Sequence, residues 1–299
     1  MNRITYQHCP LCQSNEIELV FEVKDHKISQ ETFSLSDCKS CGFRFTADPP
    51  NENEIGKYYD SPRYISHSNN NQGPINRVYH YIRSLMLRCK LNLIRKISTQ
   101  RNVLDIGCGI GFFLNTMKEN GFKTLGIEIN ENARNFAKSN FQLDVIPPSF
   151  LTENKIADKF DVATMWHVLE HIYEPKAYLN AVSNVLNDNA HLIIAVPNYR
   201  SMDAQKYLSF WAGYDVPRHL WHFDPKSINT LLSACGFELK SIKRLPFDSF
   251  YVSMLSETYL QHRFSFIRGM FYGGLSWIKS LINKNKTSSL IYIFQKKSS

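Results

Sequence analysis

The sequence predicts an α/β protein with a small cysteine-rich unit near its N-terminus, and three observations lead to this prediction. The chain has 299 residues, of which 43% are hydrophobic, and this is enough apolar material for a sizeable core. Residues 101–114 run as a buried strand, a glycine-rich turn and the start of a helix. Two Cys-x-x-Cys pairs lie within the first 41 residues. These features exclude a disordered chain and a disulfide-stapled miniprotein.

The cysteine-rich unit is predicted to be a zinc ribbon. Two Cys-x-x-Cys knuckles, 25 residues apart, can present four thiolates to one tetrahedral ion: Cys9, Cys12, Cys38 and Cys41. Residues 17–23 and 32–35 between the knuckles alternate as strands do. Four protein ligands leave no open position for a reacting water, so the expected role is structural. A redox role is the alternative.

The length allows one large domain and a small one. We predict the ribbon over residues 1–50, a helical linker and lid over 51–98, and the α/β domain over 99–299 with a helical insertion at 247–287. The odd number of cysteines, seven, and the polar start of the chain predict reduced thiols and a cytoplasmic protein.

The net charge of +8 is unevenly distributed. Residues 257–299 contribute +6 of it, since this segment has seven basic residues and only one acidic residue, Glu257. We therefore expect any anionic surface to bind this segment first. Residues 9–41 contain six acidic and three basic side chains. This excess of acid would repel a phosphate backbone, so no nucleic-acid partner is expected.

The glycine-rich turn predicts a nucleoside-binding site. Asp105 directly precedes the turn, and Glu128 follows the next predicted strand, 21 residues after Gly107. That distance suits a carboxylate that accepts both ribose hydroxyls. An acidic residue beside the turn favours a cationic ligand over a pyrophosphate. The alternative is that the glycines only close a turn and that Asp105 caps a helix.

At this point the sequence resembles the class I S-adenosylmethionine-dependent methyltransferases. The matching segments stand in the family's order: Val103–Gly111, Glu128, Phe160–His171 and Val196–Asn198. The resemblance implies a Rossmann-like, seven-stranded, mostly parallel sheet with helices on both faces. It also implies S-adenosyl-L-methionine as the cofactor.

The resemblance further implies which residues bind the cofactor. Asp105 and Gly107 would lie at its methionine end and Glu128 at its ribose, while Ser149 stands where the family often has an acidic residue for the adenine. The expected cofactor-binding residues are Asp105, Gly107, Cys108, Gly109, Glu128, Ser149, Phe150 and Trp166.

Histidines at the predicted strand ends are the expected proton acceptors. His167 is expected at the end of the fourth strand, and Glu170 and His171 on the first turn of the following helix. His167 and His171 are four residues apart and are expected on one face. The aromatic-rich loop 211–224 is similar to a His-x-x-aromatic-Phe segment of sugar C-methyltransferases, in which the first histidine is the base. The resemblance therefore makes His219 the predicted base, with His171 and His167 beside it. Those enzymes have an acidic residue where Arg218 stands, so oxygen is at least as well supported as carbon as the acceptor.

A metal site is a further interpretation of these residues. His167, Glu170 and His171 resemble the Glu-x-x-Glu-His metal site of some O-methyltransferases, including quinone-biosynthesis and small-RNA 2′-O-methyltransferases. With His219 they would bind a divalent ion, and imidazole favours zinc, iron or nickel over magnesium. The alternative is that Glu170 and His171 are only the N-terminal structure of a helix.

Two segments outside the sheet have open interpretations. Tyr58, Tyr59 and Tyr64 are expected either to cover the cofactor or to be core tyrosines, ahead of a helix predicted from about 74 to 98. Residues 256–283 are predicted as one helix with an apolar stripe. That helix either packs on its own domain as a substrate cap or homodimer face, or docks on anionic lipid to reach a lipid-linked substrate.

The predicted function is methyl transfer to an oxygen, or a carbon, of a small or carrier-linked metabolite. The resemblance makes a glycan or lipid-linked glycan precursor the expected acceptor. A ribosomal-RNA base methyltransferase and a cofactor-binding scaffold without catalysis are the alternatives. The expected location is cytoplasmic, with peripheral contact at the inner membrane face.

Overall fold

The computed structural model describes residues 3–59, 74–245 and 247–298, without the side chains of 74–79. Tyr64, one of the three candidate lid tyrosines, lies outside the described residues. The strands are β1 (Ile17–Lys24), β2 (Thr32–Cys38), β3 (Arg44–Thr46), β4 (Asn102–Ile106), β5 (Lys123–Ile127), β6 (Val145–Ile146), β7 (Phe160–Trp166), β8 (Leu186–Pro197), β9 (Trp221–His222), β10 (Phe237–Arg244) and β11 (Ser289–Lys296). The helices are α1 (Pro74–Ile97), α2 (Phe112–Glu119), α3 (Glu131–Phe141), α4 (Ser149–Thr152), α5 (Pro175–Asn184), α6 (Met202–Tyr207), α7 (Pro225–Ala234), α8 (Asp248–Tyr259) and α9 (Ser265–Ile282).

Seven strands form the main sheet in the order β10-β11-β8-β7-β4-β5-β6. The pairs from β8 to β6 are parallel, whereas β11 is antiparallel to both β8 and β10. The chain moves outward from β4 in both directions, so the strand order reverses there. In such sheets ligands bind beyond the carboxyl ends of the strands at the reversal point. The predicted fold class, a Rossmann-like mostly parallel sheet, is confirmed.

Side-chain alternation along the buried strands divides the core into two layers. On β4, Leu104 and Ile106 point into the layer covered by α5 and α7, whereas Val103 points into the layer covered by α1 and α2. Parallel strands buried on both faces need continuous apolar runs, which explains the run at 103–106. Asp105 is the polar exception, and it lies opposite Thr164 of β7 in the sheet register.

The N-terminal strands form a second, four-stranded sheet in the order β1-β2-β3-β9. The fourth strand comes from the aromatic-rich loop, where His222 and Trp221 pair with Arg44 and Phe45 of β3. The ribbon therefore contributes backbone hydrogen bonds to a loop that lies about 175 residues later in the sequence.

The predicted single helix over 256–283 is wrong. The chain forms two helices, α8 and α9, and Gln261 between them has a left-handed φ of 57°. The helices fold back on one another because Gly269 and Gly273 allow close approach: a Cβ at either position would lie within 2.7 Å of a Cα of α8. Among the described residues, no helix combines the length and apolarity needed to span a bilayer.

Candidate functional site

The glycine-rich turn opens a cradle at the carboxyl end of β4. Gly109 has a φ of +55°, which favours glycine, and no atom lies within 4 Å of the position that a Cβ would take there. By contrast, a Cβ at Gly107 would lie 2.4 Å from a methyl group of Val168. Gly107 thus permits Val168 to pack below the turn, and Gly109 leaves open space above the turn for a ligand.

Glu128 closes one side of this cradle. Its Oε2 accepts a hydrogen bond from the Gly109 backbone N–H at 2.8 Å, and its Oε1 accepts one from the Asn130 N–H at 2.9 Å. These bonds hold the carboxylate against the turn. An ionised carboxylate can accept about four hydrogen bonds, so capacity remains for two ribose hydroxyls.

Asp105 lies beneath the turn with 2% of its surface exposed. Burial raises the pKa of its carboxyl to about 7, although a 2.5 Å hydrogen bond from the Thr164 hydroxyl and the charge of Lys90 both act to lower it. Burial likewise lowers the pKa of Lys90 to about 8, against the attraction of Asp105. A buried carboxylate poised near neutrality suits the binding of a cation such as the methionine ammonium of the cofactor.

Trp166, at the end of β7, borders the same space. Lys90 of α1 places its ammonium 4.0 Å from the Trp166 ring centroid. The buried Nε1 of Trp166 has no hydrogen-bond partner among the described residues. A buried donor without a partner is rare in folded proteins, so this one is available to a ligand.

The remaining predicted cofactor residues lie farther along the same edge or are buried beneath it. Ser149 and Phe150 begin α4, directly after β6, and both are exposed. The Cys108 thiol packs where Gly126 leaves room, since a Cβ at Gly126 would lie 2.7 Å from the sulfur. Burial raises the pKa of this thiol, so it stays protonated and is not a nucleophile.

The segment after β7 is not the helix turn that the sequence predicted. Leu169–His171 is a single 3-10 turn, and α5 begins only at Pro175. His167 has a left-handed φ of 58°, so His167 and His171 do not share a helix face. The His167 ring turns back instead, and its Nδ1 lies 3.4 Å from Glu170 Oε1.

Glu170 is the most unusual polar group of the site. It is fully buried, and neither carboxylate oxygen has a hydrogen-bond partner among the described residues. Burial acts to raise its pKa, but the neighbouring His167 ring lowers it below its ordinary value. A buried charge normally has partners or coordinates a metal. Here the His167 ring, 3.4 Å from Oε1, pairs with the carboxylate when the ring is protonated, without making a hydrogen bond of good geometry.

Two imidazoles face Glu170 with defined tautomers. His171 Nδ1 lies 2.9 Å from the Arg218 carbonyl oxygen, and His219 Nδ1 lies 2.9 Å from the Gly213 carbonyl oxygen. Because a carbonyl only accepts a hydrogen bond, each Nδ1 carries a hydrogen, and in a neutral ring it is Nε2 that has the lone pair. Burial lowers the pKa of His219 to about 4, so its ring is neutral at pH 7.

These three side chains form one cluster. One ligand atom from each of Glu170, His171 and His219 lies within 4.8 Å of the others, and the two rings are 4.7 Å apart between centroids. His167 borders the cluster but is outside this set. Tyr59, one of the predicted lid tyrosines, reaches it, since its hydroxyl is 3.0 Å from His171 Nδ1.

The ribbon holds the His219 loop in place. Thr46 of β3 donates a hydrogen bond to the His219 carbonyl at 2.8 Å and contacts His222 Nε2 at 3.1 Å. The buried guanidinium of Arg218 pairs with Asp25 of the ribbon at 2.9 Å. Thr46, Asp25 and Lys90 could not be predicted from the sequence, because each contacts residues far away in the chain and no local pattern indicates such contacts.

The four ribbon cysteines also form a cluster. Their sulfurs all lie within 4.8 Å of one another, with Cys9 Sγ 3.7 Å from Cys41 Sγ and Cys12 Sγ 3.5 Å from Cys38 Sγ. Four sulfurs at a Zn–S distance near 2.3 Å in a tetrahedron are about 3.8 Å apart. The spacing therefore fits a tetrahedral zinc ion.

Comparison with known proteins agrees with this geometry. A family model described as a methyltransferase domain matches residues 78–242, which is more than half of the chain. A ubiquinone biosynthesis O-methyltransferase of Idiomarina loihiensis is 26% identical over 170 residues, covering 52% of this chain and 70% of that protein. One from Glaesserella parasuis is 30% identical over 159 residues, covering 48% of this chain and 67% of that protein.

A solved structure shows the same fold. The magnesium protoporphyrin IX methyltransferase of Synechocystis, with bound SAH, superposes with a TM-score of 0.54 at 13% identity, covering 83% of this chain and all of that one. At this identity the likeness extends to the fold alone.

Proposed function

Because the chain belongs to the methyltransferase-domain family and is an S-adenosylmethionine-dependent methyltransferase, we propose that it methylates an oxygen beside Glu170, His171 and His219. The observation that carries this proposal is the fully buried Glu170 carboxylate without hydrogen-bond partners among the described residues, faced by the imidazoles of His171 and His219. Relatives named as O-methyltransferases support oxygen as the acceptor atom.

The donor set suits a divalent metal ion. One carboxylate and two imidazole nitrogens favour zinc, iron or nickel, and three protein ligands leave positions open for an acceptor. The backbone carbonyls of Arg218 and Gly213 fix the tautomer of each ring, as outer partners of metal-bound histidines commonly do. When bound, such an ion would act as a Lewis acid that lowers the pKa of the acceptor hydroxyl.

This chain's own residues would then position the acceptor and manage its proton. His219 would hold the ion: its Nδ1 donates to the Gly213 carbonyl, and its Nε2, as a ligand, could not also accept the acceptor's proton. His167, about one third exposed, stands between the buried cluster and the solvent. Glu170 raises the pKa of His167 against the effect of burial, so His167 is suited to pass the proton outward.

We further propose that the cysteine cluster binds a structural zinc ion, and that S-adenosyl-L-methionine lies with its methionine end near Asp105 and its ribose at Glu128. For the acceptor we propose a small or carrier-linked metabolite, with a glycan or lipid-linked glycan precursor as the class. This class rests on the similarity of the His219 segment to sugar methyltransferases.

The test combines metal binding with turnover. The full chain, with zinc already bound to its ribbon cysteines, is titrated calorimetrically with Zn²⁺, Ni²⁺ and Mg²⁺. Methyl transfer from labelled cofactor to phenol and diol acceptors is measured in parallel. Glu170→Gln and His219→Ala are expected to lose the additional metal equivalent and to lower the rate by about 10²-fold or more, with unchanged S-adenosylhomocysteine affinity.

The matched control is His191→Ala, which removes a half-buried imidazole from the other end of β8. It should bind metal and turn over as the parent does. If Glu170→Gln bound the second metal and transferred methyl groups normally, the proposed acceptor site would be wrong.

A further inference from the structure

Helix α9 has the reverse of the usual polarity. Its buried positions are small, namely Gly269, Gly273, Ser276 and Ser280. Its outward face presents large apolar side chains that are between 52% and 88% exposed: Phe266, Ile267, Phe271, Ile278, Leu281 and Ile282. A surface helix of a globular domain normally buries its apolar face and exposes its polar one. Since α9 packs on its own domain through the small residues, its apolar face remains exposed and is available for a binding partner.

The inward contacts of α9 are already complete. Gly269 and Gly273 lie against the backbone of α8, and the Ser276 hydroxyl donates to the buried Asp203 carboxylate at 3.0 Å. These contacts fix the rotation of α9 about its axis. The helix cannot turn its apolar face inward without separating from α8 and breaking the Asp203 contact.

Basic side chains border the apolar face. Arg263 precedes α9, Lys279 lies near its end, and Lys284 follows it, and all three are exposed. The one acidic residue in 257–299, Glu257, is fully buried and paired with Arg268 at 2.7 Å. An apolar stripe with aromatic residues and a cationic border is the surface that anionic lipid headgroups and their acyl chains complement.

We propose that α9 docks flat on an anionic lipid bilayer, with its apolar face in the headgroup region and its basic border on the lipid charges. A second copy of the chain fits less well, since pairing two such faces would bring two sets of cations together.

The experiment is flotation of the full chain with vesicles of phosphatidylcholine alone and of equal parts phosphatidylcholine and phosphatidylglycerol, at low salt. We expect at least about tenfold stronger partitioning onto the anionic vesicles, weakened by added salt. Phe271→Ser with Ile278→Ser should lower it at least about tenfold, and so should Lys279→Glu with Lys284→Glu.

Two controls match these changes. Leu19→Ser removes an apolar side chain that is 63% exposed on the ribbon, and Lys138→Glu reverses an exposed charge on α3. Each should partition as the parent does, and thermal unfolding of every variant checks the fold. The proposal is overturned if the parent stays with the solvent, or if the α9 variants float unchanged. A third result would also overturn it: the parent does not bind vesicles, and sedimentation equilibrium shows a dimer that the Phe271→Ser, Ile278→Ser variant does not form.

Discussion

Arg218 and Asp25 form an ion pair with an Nη2–Oδ1 distance of 2.9 Å, and both side chains are essentially inaccessible to solvent. Asp25 belongs to the ribbon, and Arg218 directly precedes His219. The same guanidinium also pairs with Asp215 and donates to the Tyr58 carbonyl. Through this one group the ribbon, the start of the linker at Tyr58 and the His219 loop are joined by one buried network.

Arg218→Met should destabilise the protein by about 3–5 kcal/mol, since it leaves the buried Asp25 carboxylate without its cation and Asp215 with Lys27 alone. Urea unfolding measures this loss. Methyl transfer, assayed below the unfolding temperature, should also fall because the His219 loop loses its anchor. Lys123→Met is the comparison: it breaks an ion pair whose partners are more than 60% exposed, and it should change the stability by at most about 0.5 kcal/mol. Equal effects of the two variants would contradict the role of the buried network.

The residues around this network mark the limit of what the sequence predicts. The strand, glycine turn and helix at 102–119 were predictable because apolar periodicity and glycine are local signals. Asp25 and Arg218 are 193 residues apart, and neither their type nor their neighbours indicate a buried pair. The β3–β9 pairing is likewise nonlocal. Thr164 offered one overlooked signal, since it is a hydroxyl within the otherwise apolar run 162–166 of β7.

Local backbone conformation accounts for the other errors. The helix predicted over 256–283 breaks at Gln261, and glutamine is not a residue that marks a left-handed turn. The spacing of His167 and His171 suggested a helix face, but the left-handed φ of His167 turns its ring toward Glu170 instead. The cluster of Glu170, His171 and His219 was nevertheless correctly grouped, because all three follow motifs at one sheet edge.

The pKa of Asp105 predicts a pH-dependent cofactor affinity. With a folded pKa near 7, the carboxyl is mostly protonated at pH 6 and mostly ionised at pH 8. S-adenosylhomocysteine, whose ammonium prefers the ionised form, should bind about tenfold more tightly at pH 8 than at pH 6. Thr164→Val removes the hydrogen bond that lowers this pKa, so it should shift the profile to higher pH, whereas Thr164→Ser should keep it.

The same group has the opposite effect on the stability of the ligand-free protein. Its folded pKa is raised above the unfolded value, so its contribution to stability is full below about pH 4 and is lost as the pH rises through 7. Asp105→Asn should therefore make the ligand-free protein more stable than the parent at pH 8, by urea unfolding. If the calorimetric affinity for S-adenosylhomocysteine did not change from pH 6 to pH 8, Asp105 would not contact the ammonium group of the cofactor.

Loss of the ribbon metal should affect the methyltransferase site. Cys12→Ser is expected to release one equivalent of zinc, to lower the unfolding midpoint by more than about 5 °C and to slow methyl transfer. Methyl transfer should slow because β3 of the ribbon pairs with β9, so the His219 loop loses this support when the ribbon unfolds. Cys89→Ser alters an exposed thiol on α1 and should leave zinc content, midpoint and rate unchanged. A zinc-free protein with full activity would separate the ribbon from the site.

The close contact of α8 and α9 gives a prediction with an internal control on one helix. A Cβ at Gly269 would lie 2.4 Å from the Met254 Cα, which is backbone and cannot move without separating the helices. A Cβ at Gly274 would lie 3.7 Å from the Phe250 ring, an ordinary contact. In urea unfolding, Gly269→Ala should lose about 1–3 kcal/mol, as overpacking does. Gly274→Ala should gain up to about 1 kcal/mol, because alanine favours the helix. Similar gains from both variants would mean that the two helices are not packed together in solution, and the outward direction of the apolar face of α9 would then no longer follow.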